Sequence, residues 1–303
     1  MNYEEALKIV RKWDKDPDFI FPKDFDGWRL FNLRQGKCIA HLMAEKGKPM
    51  PASFDDWLHF DPSGHTIAHI AGMNGTPLPD DFKHWDLCDK HGWSIAECYL
   101  HGHGKMPKNF DRWEIKNKDE CGDTLAHSLA ARNELPANFT QCALKNNYGQ
   151  TVWHTLATCK HPMPENFSEW DAKDNYGQTV AHYVARSSGK LPKGFDLWHL
   201  ECDTGETVAH FLADAQHSFP EDFSLWDMKG GSSVCVAHCV AQYDGTFPPE
   251  FDQWDLETDD GETVIDIARE HGSQHVIAQY QAFLMRAEIN EKPADAAIHR
   301  KGI

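Results

Sequence analysis

Phenylalanines at Phe25, Phe54, Phe82, Phe110, Phe139, Phe167, Phe195, Phe223 and Phe251 recur every 28 or 29 residues, and this period constrains the fold of the 303-residue chain more than any other feature. A period between about 20 and 50 residues marks a repeat architecture, in which each unit leaves its apolar face to be covered by the next. A proline stands three residues before every one of these phenylalanines, from Pro22 to Pro248, and a tryptophan three residues after all but one, where Cys142 takes its place. Proline suits the first turn of a helix, where its missing N–H is not needed, and acidic neighbours such as Asp80, Asp81, Glu165 and Glu221 favour a helix N-terminus. The P-x-x-F-x-x-W segment is therefore predicted as a short helix, with Phe and Trp on one face turned into the core between repeats.

The second half of each unit has the form D-x-x-G-x-T-[IV]-A-H-x-x-A, as in Asp174, Gly177, Thr179, Val180, Ala181, His182 and Ala185. Asp or Asn three residues before Gly predicts an Asx-type turn with Gly in the left-handed region, and Thr is a natural helix N-cap. The run from Gly149 to His154, repeated from Gly205 to His210, resembles the ankyrin repeat's G-x-T-P-L-H. Residues Gly261 to Gly272, leading into Val276, Ile277, Phe283 and Leu284, resemble a C-terminal capping ankyrin repeat. The resemblance covers about residues 30–285. It departs from the family in lacking Pro after Thr and in replacing the second helix by P-x-x-F-x-x-W, which shortens the period from 33 to 28. It implies an all-α, ankyrin-like repeat solenoid of helix-turn-helix units that binds proteins through its turn tips and the exposed side of each first helix. The expected division is an N-terminal capping helix and degenerate first strut over 1–35, repeats over 36–260, a capping repeat over 261–289 and a mobile tail over 290–303.

The histidine five residues after Gly recurs at His41, His69, His127, His154, His182, His210 and His238. In the family it resembles, this residue ties Thr to the neighbouring turn. Two repeats carry an acid instead, in Ser94 to Glu97 and Thr263 to Asp266, and both read as capping boxes in which the acid returns to the N-cap backbone. A structural role follows, with no metal ligands assigned. Where Trp becomes Cys142, the next helix has Trp153 at a position held by Ala in other repeats, among them Ala68, Ala126, Ala181, Ala209 and Ala237, an exchange of large for small that places tryptophan in the core. No metalloprotease, nucleophile-elbow or phosphate-loop motif is present; His101-Gly102-His103-Gly104-Lys105 lacks the Ser/Thr that a phosphate cradle needs. The expectation is a non-enzymatic chain without cofactor. Nine scattered cysteines and the start Met1-Asn2-Tyr3-Glu4-Glu5, with no secretory signal, point to a reducing, cytoplasmic compartment, of the producing cell or of a host.

The formal net charge of −17 is concentrated in one stretch: residues 195–262 hold sixteen acids and one base, Lys229. Such a surface either solubilises a well-solvated capping region or selects a partner protein with a basic surface; it repels nucleic acid, and nothing points to membrane. The expected contact residues are Trp93, Tyr148 and Tyr176 at turn tips and Asp203, Glu206, Asp227, Asp259, Asp260 and Glu262 at the acidic end, because large amphipathic side chains dominate interface energies. The function expected is a protein-protein interaction scaffold, a microbial or viral effector or inhibitor that occupies its partner. The alternatives are an acidic mimic of nucleic acid and an enzyme with an unrecognised site in the groove.

Overall fold

The computed structural model describes residues 1–32, 36–108, 110–118, 120–137, 139–231 and 233–291. Contacts divide the chain into two compact units, Met1–Tyr148 and Gly149–Ile303. The first contains α1 (Tyr3–Lys15), a two-stranded hairpin β1–β2 (Phe31–Asn32, Lys37–Cys38), α2 (Ile39–Ala44), α3 (Ile67–Met73), α4 (Ile95–His103) and α5 (Leu125–Ala131). The second contains α6 (Val152–Thr158), α7 (Val180–Ser187), α8 (Val208–Asp214), α9 (Val236–Gln242), α10 (Val264–His271) and α11 (Gln274–Glu291). No described helix is long and apolar enough to cross a membrane.

Helices of seven or eight residues are too short to stand alone, and each is stabilised by what satisfies its first N–H groups. For α3 the N–H of Ile67 donates to the carbonyl of His59 (3.1 Å), that of Ala68 to the carbonyl of Trp57 (2.9 Å), and that of His69 to Thr66 Oγ1 (3.2 Å). The same two carbonyl positions serve Ile95 and Ala96, Leu125 and Ala126, Val180 and Ala181, and Val236 and Ala237. The helix start is thus anchored on the tryptophan of its own repeat, and a single β-bridge, such as Phe60 with Thr66, ties the strand-like link between them.

This explains why P-x-x-F-x-x-W is not the short helix expected from sequence. It folds as two successive reverse turns: the N–H of every repeat Phe, from Phe25 to Phe251, donates to the carbonyl of the Pro three residues back, and a second turn follows around Trp, which in the first repeat is one turn of 3-10 helix, Gly27–Arg29. A helix would consume the carbonyls that the next helix start needs. The aromatic pairing predicted for the segment holds. Phe and Trp of one strut meet edge-to-face at centroid distances such as 5.0 Å for Phe195–Trp198, and Trp198 then meets Phe223 at 5.2 Å. In the second unit the row ends on α11, where Tyr280 lies 5.2 Å from Trp254. Trp57, Trp85, Trp198, Trp226 and Trp254 are buried, so tryptophan is core material. Cys142 is buried in the first unit, and Trp153 packs on Phe167 in the second.

Helix α11 runs to Glu291, past the 290 at which the tail was expected to begin. The tail proper, 292–303, lies outside the described residues.

Candidate functional site

The tips are held by buried acids. Asp174 Oδ1 accepts the N–H groups of Tyr176 and Gln178, both at 2.9 Å, while Asp174 Oδ2 accepts the hydroxyl of Tyr183 at 2.8 Å. Asp89 does the same for His91 and Trp93, and Asn146 for Tyr148. Gly177 has φ +70°, and a Cβ there would come 2.3 Å from Asp203 Oδ1, so both the turn and the neighbouring tip require glycine. Successive tips are joined through the backbone: the N–H of Asp203 donates to the carbonyl of Tyr176 at 3.0 Å.

Behind the tips runs the histidine ladder. The N–H of Thr179 donates to His182 Nδ1 (3.1 Å), which fixes Nδ1 as an acceptor and the proton on Nε2; Nε2–H then donates to the carbonyl of Glu206 in the next repeat (3.3 Å). His69 to Trp93, His154 to Gln178 and His210 to Val234 repeat this bridge, and where Cys38 and Cys235 replace Thr their Sγ atoms sit 2.8 Å from the histidine Nδ1. Burial pulls the pKa values of His41, His69 and His238 below the ordinary range and that of His182 down to about 4. These four imidazoles are neutral struts, not proton carriers at neutral pH. Of the two acids that replace histidine, Asp266 forms the predicted capping box with Thr263. Glu97 does not. Ser94 still caps its N–H, but the Glu97 carboxylate reaches forward to Arg132, at 3.5 Å, and Ser128 of the next repeat, taking over the histidine's bridging direction.

The expected contact residues fall into separate settings. Trp93 is 44% exposed although its backbone is pinned on both sides, by Asp89 and by His69, and Tyr148 is half-buried. In the second unit Tyr176 is 57% exposed and Asp203 stands on the adjoining tip. Asp260 and Glu262 are exposed on the last tip, and Asp259 pairs with Lys229 at 2.7 Å. Glu206 is half-buried, 4.0 Å from His210 Nδ1. Asp227 lies not at a tip but in the second turn of a strut, following the buried Trp226.

Sequence reasoning missed a cleft of about 340 Å3 in the first unit, between α3 and α4. Its walls include Trp93, Met73, His91 and His101, with Cys98 buried in α4 and Asp89 buried in the turn. His65 Nε2 lies 3.2 Å from Asp89 Oδ2, and His65 Nδ1 lies 3.8 Å from Asp61 Oδ1. Burial pushes the Cys98 thiol up to about 12, so it is no nucleophile. Close glycine packing shapes the neighbourhood: a Cβ on Gly102 would come 1.9 Å from the Gly72 carbonyl oxygen, so α3 and α4 approach backbone to backbone. Among the described residues no group of three or more His, Cys, Asp or Glu side chains is placed to hold a metal ion.

No protein-family model matches the chain, and no curated protein matches it by sequence. Among solved structures it is similar to the ankyrin repeat domain of Bcl-3, described as a unique member of the IkappaB protein family, at 17% identity and a TM-score of 0.39, over 54% of this chain and 87% of that one. By its own layout, a capped helix whose histidine reaches the next turn and a two-turn aromatic strut, the chain is a mostly helical repeat protein.

Proposed function

We propose that the chain is a non-enzymatic protein-binding scaffold, an effector or inhibitor that occupies a partner with a basic surface. The observation that carries this reading is the state of the acids in 195–262. Their one base, Lys229, is bound to Asp259, while Asp203, Asp227, Asp260 and Glu262 stand exposed with no ion pair among the described residues. Uncompensated carboxylates on a rigid scaffold raise the encounter rate with a basic surface and disfavour acidic ones. Exposed Tyr176 in the same unit supplies an aromatic anchor of the kind that carries interface energy.

The test is affinity capture with the full chain and with a variant carrying Asp203→Lys, Glu206→Lys, Asp259→Lys and Asp260→Lys. A specific, basic partner is expected, released as salt rises from about 50 to 300 mM and lost from the charge-reversed variant. Retention of the same partner by that variant, unaffected by salt, refutes the reading. Displacement of the partner by duplex DNA or RNA would place the contact in the partner's nucleic-acid cleft.

A further inference from the structure

The cleft between α3 and α4 occupies a rung of the repeat that the second unit fills with its own side chains. Counting from the turn glycine, Met73 stands nine residues after Gly64 and Cys98 six residues after Gly92. The same two positions in the second unit are Arg186, nine after Gly177, and Phe211, six after Gly205. There the Arg186 guanidinium lies over the Phe211 ring, with its central carbon 4.4 Å from the centroid. A guanidinium packed on an aromatic face is thus a native occupant of this rung. In the first unit the thioether and thiol leave the rung open, and the π-face is supplied instead by the exposed Trp93.

Among the lining residues the one carboxylate is Asp89. No lysine or arginine is among its lining residues, whereas Asp89 forms part of it and Asp61 lies behind His65. The nearby Arg132 is engaged with Glu97. Met73 offers an apolar wall for a methylene stem, and indole is the strongest of the aromatic faces for a cation. A volume of about 340 Å3 accommodates one long side chain rather than a larger ligand.

We propose that this cleft receives a single arginine side chain of the partner, its guanidinium stacked on Trp93 and directed at Asp89. The assignment rests on the protein-binding reading above and narrows it to one residue type.

The experiment uses the 15N-labelled full chain at pH 7.5 and the short peptide acetyl-Gly-Arg-Gly-amide, with Trp93→Phe used to assign the Trp93 indole N–H signal. That signal is expected to shift and saturate with a Kd of about 1 mM, at least threefold tighter than for the lysine peptide, and with no shift for the citrulline peptide. Trp93→Ala, at an exposed tip, should show no peptide-induced shift at the backbone amides of His91 and His101 beside the cleft, which move in the wild type, while the rest of the spectrum stays in place. Met73→Arg, which supplies the occupant from within, should abolish the response with Trp93 still present. Equal binding of a norleucine peptide would make the cleft a plain apolar pocket and overturn the proposal, as would citrulline binding, undiminished binding to Trp93→Ala, or no shift at 20-fold higher peptide. Partner capture that depends on the acids of the second unit but not on Trp93 would sink this inference alone; arginine binding here without any captured partner would sink the scaffold reading alone.

Discussion

Acid should loosen the repeat stack, and His182 sets the size of the effect. Its imidazole accepts from Thr179, donates to the Glu206 carbonyl and is covered edge-on by Phe211 at 4.8 Å. Burial lowers its pKa from 6.5 to about 4, with Lys173 and Arg186 pushing the same way and the Glu206 carbonyl and Asp174 opposing. The folded state therefore prefers the neutral form. Between pH 6.5 and 4 the unfolded chain binds a proton that the folded chain refuses, so the contribution is complete above 6.5 and is lost as pH falls towards 4. At pH 4.5 this one residue costs about 2.5 kcal/mol relative to pH 7.5. The assay is urea unfolding of wild type and His182→Asn at both pH values. Asparagine can still return to Thr179 but cannot span to Glu206, so the variant should lose about 1–3 kcal/mol at pH 7.5 and then show a pH-dependent loss about 2.5 kcal/mol smaller than wild type. A His182 ring proton titrating near 6.5, or identical pH dependence in the two proteins, would refute the assignment of a buried, neutral bridge.

Other expectations follow from single contacts. Gly102→Ala places a methyl group against the Gly72 carbonyl and should destabilise the first unit by about 1–3 kcal/mol in thermal unfolding, with the second unit's signals unmoved. Trp226→Ala removes a buried ring that touches Phe223, Phe247 and Phe251, and should cost about 3–5 kcal/mol by urea unfolding. Tyr183, half-buried and hydrogen-bonded to Asp174, should ionise only at about 12, seen as a late step in an alkaline absorbance titration that Tyr183→Phe removes.

Much of this was legible because it is local. Thr at the N-cap, Gly in the left-handed turn, Asp in the Asx position and the Phe–Trp pairing each depend on residues within a few positions of one another. The bridging histidine was legible by its period and by the family resemblance. What escaped depends on partners 8 to 35 residues away. The strut resembled a helix because its proline and acids suit one, yet its carbonyls at Trp57 and His59 are taken by Ala68 and Ile67. Glu97 read as a capping acid, but Arg132 offered the buried carboxylate a cation. The cleft was invisible because it lies where Gly72 and Gly102 bring two helices close and where Met73 and Cys98 stand at rung positions held by Arg186 and Phe211 in the second unit, and neither feature carries a motif.

The hydrogen bonds from strut to helix start also set where the chain tolerates changes of length. In the fourth repeat the turn from Asn117 to Gly122 is two residues longer than the turn from Asp61 to Gly64, yet Leu125 still donates to Ile115 at 2.8 Å and Ala126 to Trp113 at 3.2 Å. The added length leaves both anchoring hydrogen bonds in place. The stack therefore behaves as a fixed spine carrying interchangeable loops, and a foreign peptide grafted between the Asx residue and its glycine could change what the protein recognises without altering the spacing of the repeats beneath it.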